Sequence, residues 1–125
     1  MDHLDRNIMV VVVKIDYLLV FCPITSRVGT DIDEALRHIP GSKFGKRAIL
    51  VVMHHTFNPE HVVAASSRQV QNQMVLLTVD CLFYNGNLLK CNRNDIAWHE
   101  IQKVLGVPPP LVSRFTHDQC SALIL

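Results

Sequence analysis

Four stretches of the chain are continuously apolar rather than alternating: Ile8 to Val13 (IMVVVV), Tyr17 to Cys22 (YLLVFC), Ala48 to Met53 (AILVVM) and Val75 to Val79 (VLLTV). A strand with one wet face alternates apolar and polar residues, whereas a strand covered on both faces reads as an unbroken run. The runs are short and rich in β-branched residues, which favours strand over buried helix. Between the second and third lies TDIDEALRHI, Thr30 to Ile39, where Ile32, Ala35, Leu36 and Ile39 recur at helical spacing. Asp31 with Glu34 reads as a capping box, and Pro40 with Gly41 ends the helix. Strand, helix and strand in this order predict a βαβ unit whose two strands run parallel.

Beyond the third run, Asn58 and Pro59 read as the N-cap and first turn of a short helix reaching about Ala65, with a polar loop from Ser66 to Gln73. The fourth strand extends to Tyr84, where Asn85-Gly86 signals a tight turn and an antiparallel return through Leu88 and Leu89. Asn94 and Asp95 open a second helix, with Ile96, Ile101, Val104 and Leu105 taken as its core face, Trp98 on the opposite face, and Gly106 as its C-terminal stop. The expected fold is α/β: a three-layer, mostly parallel open sheet, doubly wound in the Rossmann or flavodoxin manner, with an antiparallel hairpin at one edge. Residues 1–107 form the domain. Residues 108–125, opened by Pro108 to Pro110, form a tail that packs on the domain or on a partner.

Composition narrows the function classes. Of 125 residues, 49% are hydrophobic and only 18% charged, an excess of apolar surface that predicts a homo-oligomer. The net charge of +1 gives no field to gather nucleic acid or anionic lipid, so neither is expected as a partner. Cys22, Cys81, Cys91 and Cys120 contain no CxxC pair. Reduced thiols and a cytoplasmic location follow as expectations. The run from Ile8 to Phe21 is broken by Lys14 and Asp16 and falls short of the ~18 residues of a membrane span. Asp2 and Asp5 argue against a signal peptide.

In an open parallel sheet, ligands bind beyond the carboxyl ends of the strands. That rule selects Cys22 to Thr30 (CPITSRVGT), His54 to Thr56, and Asp80 with Cys81. Ser26, Arg27, Gly29 and Thr30, with His54, are the candidate ligand-binding set, through helix N–H groups and a guanidinium. Asp31, Asp33 and Glu34 oppose an anion there, and Arg27 pairing with them is the competing reading. Cys22, His55 and Asp80 are the catalytic candidates, as nucleophile, base and orienting acid. Against this, cysteine is often simply buried, and neighbouring histidines on a strand face opposite sides, so one of His54 and His55 should be buried. No metal spacing and no cofactor motif is present, so neither is expected.

Several segments resemble a poorly characterised family of small α/β domains found mainly in bony fishes: DYLLVFCPITSRVGTDIDEAL at Asp16 to Leu36, AILVVMHHTFNPE at Ala48 to Glu60, SSRQV at Ser66 to Val70, and LLTVDCLFYNGNLLKCNRN at Leu76 to Asn94. That family has no established activity, so the resemblance implies no catalytic residue. It implies a host-response role, innate immune or antiviral. Its members carry a further strand and helix before the Asp16 segment, which predicts an incomplete sheet here, covered by pairing between two copies. A non-catalytic, homodimeric interaction module is therefore the leading functional expectation. The rival is a small-molecule or nucleotide-binding enzyme built on Cys22, Arg27 and His54 or His55.

Overall fold

The computed structural model describes residues 9–13, 17–25, 27–37 and 47–106. They form a mixed α/β unit, with β1 (Met9–Val13), β2 (Tyr17–Pro23), α1 (Val28–Leu36), β3 (Arg47–His55), a 3₁₀ turn (Ser66–Gln69), β4 (Val75–Tyr84), β5 (Asn87–Leu88) and α2 (Asn92–Leu105). The five strands lie side by side in chain order. Strands β2, β3 and β4 are parallel, with Leu19 opposite Ile49 and Val51 opposite Val79. Strand β1 is antiparallel to β2, and β5 is antiparallel to β4. The expected parallel pair with α1 between its strands is present, but an antiparallel strand flanks both edges rather than one. The reason is chain length: only residues 14–16 separate β1 from β2, and a parallel crossover needs a dozen or more residues.

The continuous apolar runs follow from the helices covering them. Along β2 and β3, Leu18, Val20, Cys22, Ala48, Leu50 and Val52 pack with Ile32 and Ala35 of α1. The intervening Leu19, Ile49 and Val51, with Val79 and Cys81 of β4, pack with Ala97, Trp98, Ile101 and Leu105 of α2. Strand β3 lies in the middle, and every residue from Ala48 to Val52 is fully buried. Each Val, Leu or Ile side chain among them contributes about 1.5 to 3 kcal/mol through removal from water.

Both helices depart from their expected bounds. Helix α1 begins at Val28 and ends at Leu36, and Arg27 stands at its N-cap without a side-chain bond. The capping box does not form, because Asp31 turns its carboxylate back to accept the Thr25 N–H at 2.8 Å, while Glu34 pairs with Arg37 at 2.6 Å. Ile39, Pro40 and Gly41 lie outside the described residues. In α2 the buried stripe is Asn94, Ala97, Trp98, Ile101, Gln102 and Leu105, so Trp98 is core and Ile96 is 54% exposed. Successive helical residues turn by about 100°, which places Ile96 about 140° from Ile101 and off its face. Gly106 stops α2 in the left-handed conformation at φ 69°, with its N–H on the Gln102 carbonyl at 2.9 Å. The Asn85-Gly86 turn has φ of 52° and 78° and joins Tyr84 to Asn87, the expected hairpin.

The expected helix from Asn58 to Ala65 is replaced by turns. Asn58 Oδ1 accepts the Glu60 N–H at 3.0 Å and Thr56 Oγ1 accepts the Asn58 N–H at 3.1 Å. These side-chain bonds offer the backbone an alternative to helix. The crossover from β3 to β4 is therefore extended, with one 3₁₀ turn at Ser66–Gln69, inside the segment read from sequence as polar loop. The tail, residues 108–125, lies outside the described residues.

Candidate functional site

The parallel register puts Val52 opposite Asp80, and His54 lies two residues further along β3 on the same face. His54 Nε2 and Asp80 Oδ1 meet at 2.8 Å, both residues being buried. Ser66, which is fully buried, donates its hydroxyl to Asp80 Oδ1 at 2.5 Å and its N–H to Asp80 Oδ2 at 3.1 Å. One carboxylate thus joins the end of β3, the middle of β4 and the crossover between them. Burial alone would raise the Asp80 pKa, but the bonds from His54 and from the Ser66 hydroxyl and N–H outweigh it and hold it below the ordinary carboxylate value.

This arrangement differs from a nucleophilic triad in the position of the acid. A serine nucleophile gives its proton to a histidine, and the histidine is oriented by the carboxylate. Here the carboxylate is the central member and takes both the serine and the histidine proton donors. The Ser66 hydroxyl is consumed by the group it would need at one remove. What the geometry does well is fix the crossover onto the sheet.

The catalytic candidates Cys22, His55 and Asp80 do not converge. Cys22 pairs with Val52, and Val52 with Asp80, so one strand stands between the thiol and the carboxylate, a separation of about 10 Å across the sheet. The thiol is fully buried and donates to the Asp31 carbonyl at 3.3 Å. Burial, with the Asp31 charge beside it, pushes its pKa up to about 12, so the thiolate that nucleophilic chemistry requires is withheld. His55 is the exposed one of the histidine pair, as alternation on a strand demands. Its ring lies 5.0 Å from Tyr84 in a stacked arrangement and 5.3 Å from Phe83 edge-on. Phe57 adds an edge contact to Tyr84 at 6.0 Å and is 76% exposed.

The ligand-binding candidates divide into two groups. Arg27, Gly29 and Thr30 share an open cleft of about 440 Å³ with Val28, Asp33 and Gln69, at the amino end of α1. Gly29 lets the Gln69 side chain close in, because a Cβ there would stand 2.7 Å from Gln69 Oε1. His54 belongs to the Asp80 cluster, not to this cleft, and Ser26 lies outside the described residues. Asp33 supplies a carboxylate to the same wall that Arg27 would offer to an anion.

Two residues that the sequence reading placed in capping or loop roles are structurally central. Ser66 is one. The other is Asn94, fully buried on the first turn of α2, whose Oδ1 accepts the Leu82 N–H at 2.7 Å. Its Nδ2 donates to the Leu82 carbonyl at 2.8 Å and the Leu89 carbonyl at 2.7 Å. Its amide thereby serves β4 as one more residue of strand, just past the point where two-residue β5 stops.

Among the described residues no three His, Cys, Asp or Glu side chains gather as a metal ion would require, and no helix is long and apolar enough to cross a membrane. Compared with family models, with curated proteins and with solved structures, the chain matches none.

Proposed function

We propose that this chain is a non-catalytic protein-interaction module that acts as a homodimer in a cytosolic host-response pathway, its fold a three-layer, doubly wound member of the Rossmann or flavodoxin type. The observation that carries the reading is the use of the strand-end polar residues. Asp80, His54 and Ser66 spend their hydrogen bonds on one another, and Cys22 holds its proton. Meanwhile Phe57, Val62 and Ile96 expose 76, 82 and 54% of their surface, the kind of apolar surface that association removes from water. The pathway rests on the resemblance to the fish family. Light scattering after size exclusion tests the oligomer: a dimer across the micromolar range is expected, and a strict monomer sinks that part.

The second reading, a small-molecule or nucleotide-binding enzyme, is favoured by the cleft of Arg27, Gly29 and Thr30 alone. A thermal-shift screen of nucleotides, sugar phosphates and acyl substrates, repeated with Arg27→Ala and Cys22→Ala, separates the two. The interaction module predicts no stabilising ligand. A ligand whose effect disappears with Arg27→Ala would favour the enzyme.

A further inference from the structure

We infer that the outer edge of β4 is the dimer contact, joined antiparallel to β4 of a second copy about a twofold axis at Val79; this rests on the homodimer reading above. Strand β5 covers β4 only at Phe83 and Tyr84, and the Asn94 amide with Leu89 takes both backbone groups of Leu82. Backbone groups alternate sides along a strand, and the Phe83 carbonyl turns inward to the Thr56 N–H. Asp80 and Thr78, in step with Leu82, therefore direct their N–H and carbonyl groups outward. No strand among the described residues meets them. Beyond Thr78 the ladder is interrupted, since Ala48 faces Val75 while Ile49 faces Leu77, leaving Leu76 as an extra residue.

The open stretch is thus short and centred on Val79, which fits its own copy. With Val79 opposite Val79, Thr78 of each chain lies opposite Asp80 of the other, and all the outward groups of both are satisfied. Val79 is β-branched, which suits a cross-strand pair. The stretch from Val75 to Tyr84 contains no Pro, Lys or Arg, the residues that normally protect an edge from pairing. Its single charge, Asp80, is turned onto its own His54 and Ser66, so two copies bring no exposed like charges together. The partner is an extended backbone segment, and an edge with neither a protecting residue nor an outward charge lets a second copy supply it.

Thr78→Pro is the test. Proline on an outward-facing edge position removes an N–H that no described residue of the same chain takes up, so circular dichroism and the thermal midpoint should stay near wild type. Sedimentation equilibrium should show the dimer dissociation constant rising about a hundredfold, because each copy loses an intermolecular bond and gains a ring in the contact. Amide exchange of Asp80 in the wild type, protected more at high protein concentration than at low, gives a second measurement that does not depend on the variant folding. A wild-type dimer left unchanged by Thr78→Pro, with concentration-independent exchange at Asp80, overturns the β4 contact while leaving the homodimer. A monomeric wild type overturns both. Protection at Asp80 that is constant with concentration means that this chain covers its own edge, and it too overturns the contact.

Discussion

Two polar clamps hold flanking chain onto β4, and they work by different chemistry. At Asp80 an ionised carboxylate gathers His54 and Ser66 and secures the crossover. At Leu82 a neutral amide, Asn94, gathers backbone groups and secures the hairpin and the start of α2. Both are buried, both reach across more than ten residues of chain, and only one of them titrates. A connection with no α-helix or strand of its own is thus tied to the sheet by a buried polar side chain, and the choice between acid and amide decides whether pH can loosen that tie.

The largest effect should come from Asn94→Ala. It strands the Leu82 N–H in the interior and removes three bonds, for a loss of about 3 kcal/mol in urea unfolding. Asp80→Asn keeps the shape but exchanges charge-assisted bonds for neutral ones, and should cost about 2 kcal/mol. The wild type should separate the clamps further through pH. Because the folded pKa of Asp80 lies below the unfolded one, its contribution is complete above the unfolded carboxylate value of about 3.9 and is lost as pH falls through the folded pKa. Urea midpoints from neutral to strongly acidic solution should fall more steeply in wild type than in Asp80→Asn. An equal slope in both would remove Asp80 as the titrating clamp.

Away from the clamps, Cys22 should react with a thiol reagent at neutral pH only on unfolding, since its thiol is buried with a pKa of about 12; rapid labelling of the native protein at this residue would contradict the placement. The smallest effect belongs to Gly29→Ala. The new methyl meets only the end of the exposed Gln69 side chain, so gain in helix propensity should prevail by about 0.5 kcal/mol, read as a slightly higher thermal midpoint.

The strands were legible in the sequence because their signal is local: a run such as Ala48 to Met53 has no side to show water. The Asn85-Gly86 turn and the Gly106 stop were legible for the same reason, each being a demand for positive φ. Helix α2 was legible as a helix but not in its orientation, because counting from Ile96 placed Trp98 on the wrong side. The Asn58 segment carried helix-start residues, yet Asn58 and Thr56 bonded their own neighbours and diverted it into turns. The Asp80 cluster was hardest to see. Its members come from three elements, and Ser66 in a polar stretch has no local mark that a carboxylate fourteen residues away will bury it. The exposure of His55 and burial of His54 followed from strand alternation only once α1 and α2 were assigned to faces.

The extended crossover from Thr56 to Met74 has a mechanical consequence. With no α-helix of its own, it is held by Ser66 on the Asp80 carboxylate, by Val70 against the α1-side core, and at its two ends by the Thr56 N–H on the Phe83 carbonyl and the Ala48 N–H on the Met74 carbonyl. Because these contacts are few and spaced along the segment, the stretches between them exchange their amides through small local openings, whereas lifting the whole crossover requires the buried Asp80 clamp and the Val70 packing to come apart together.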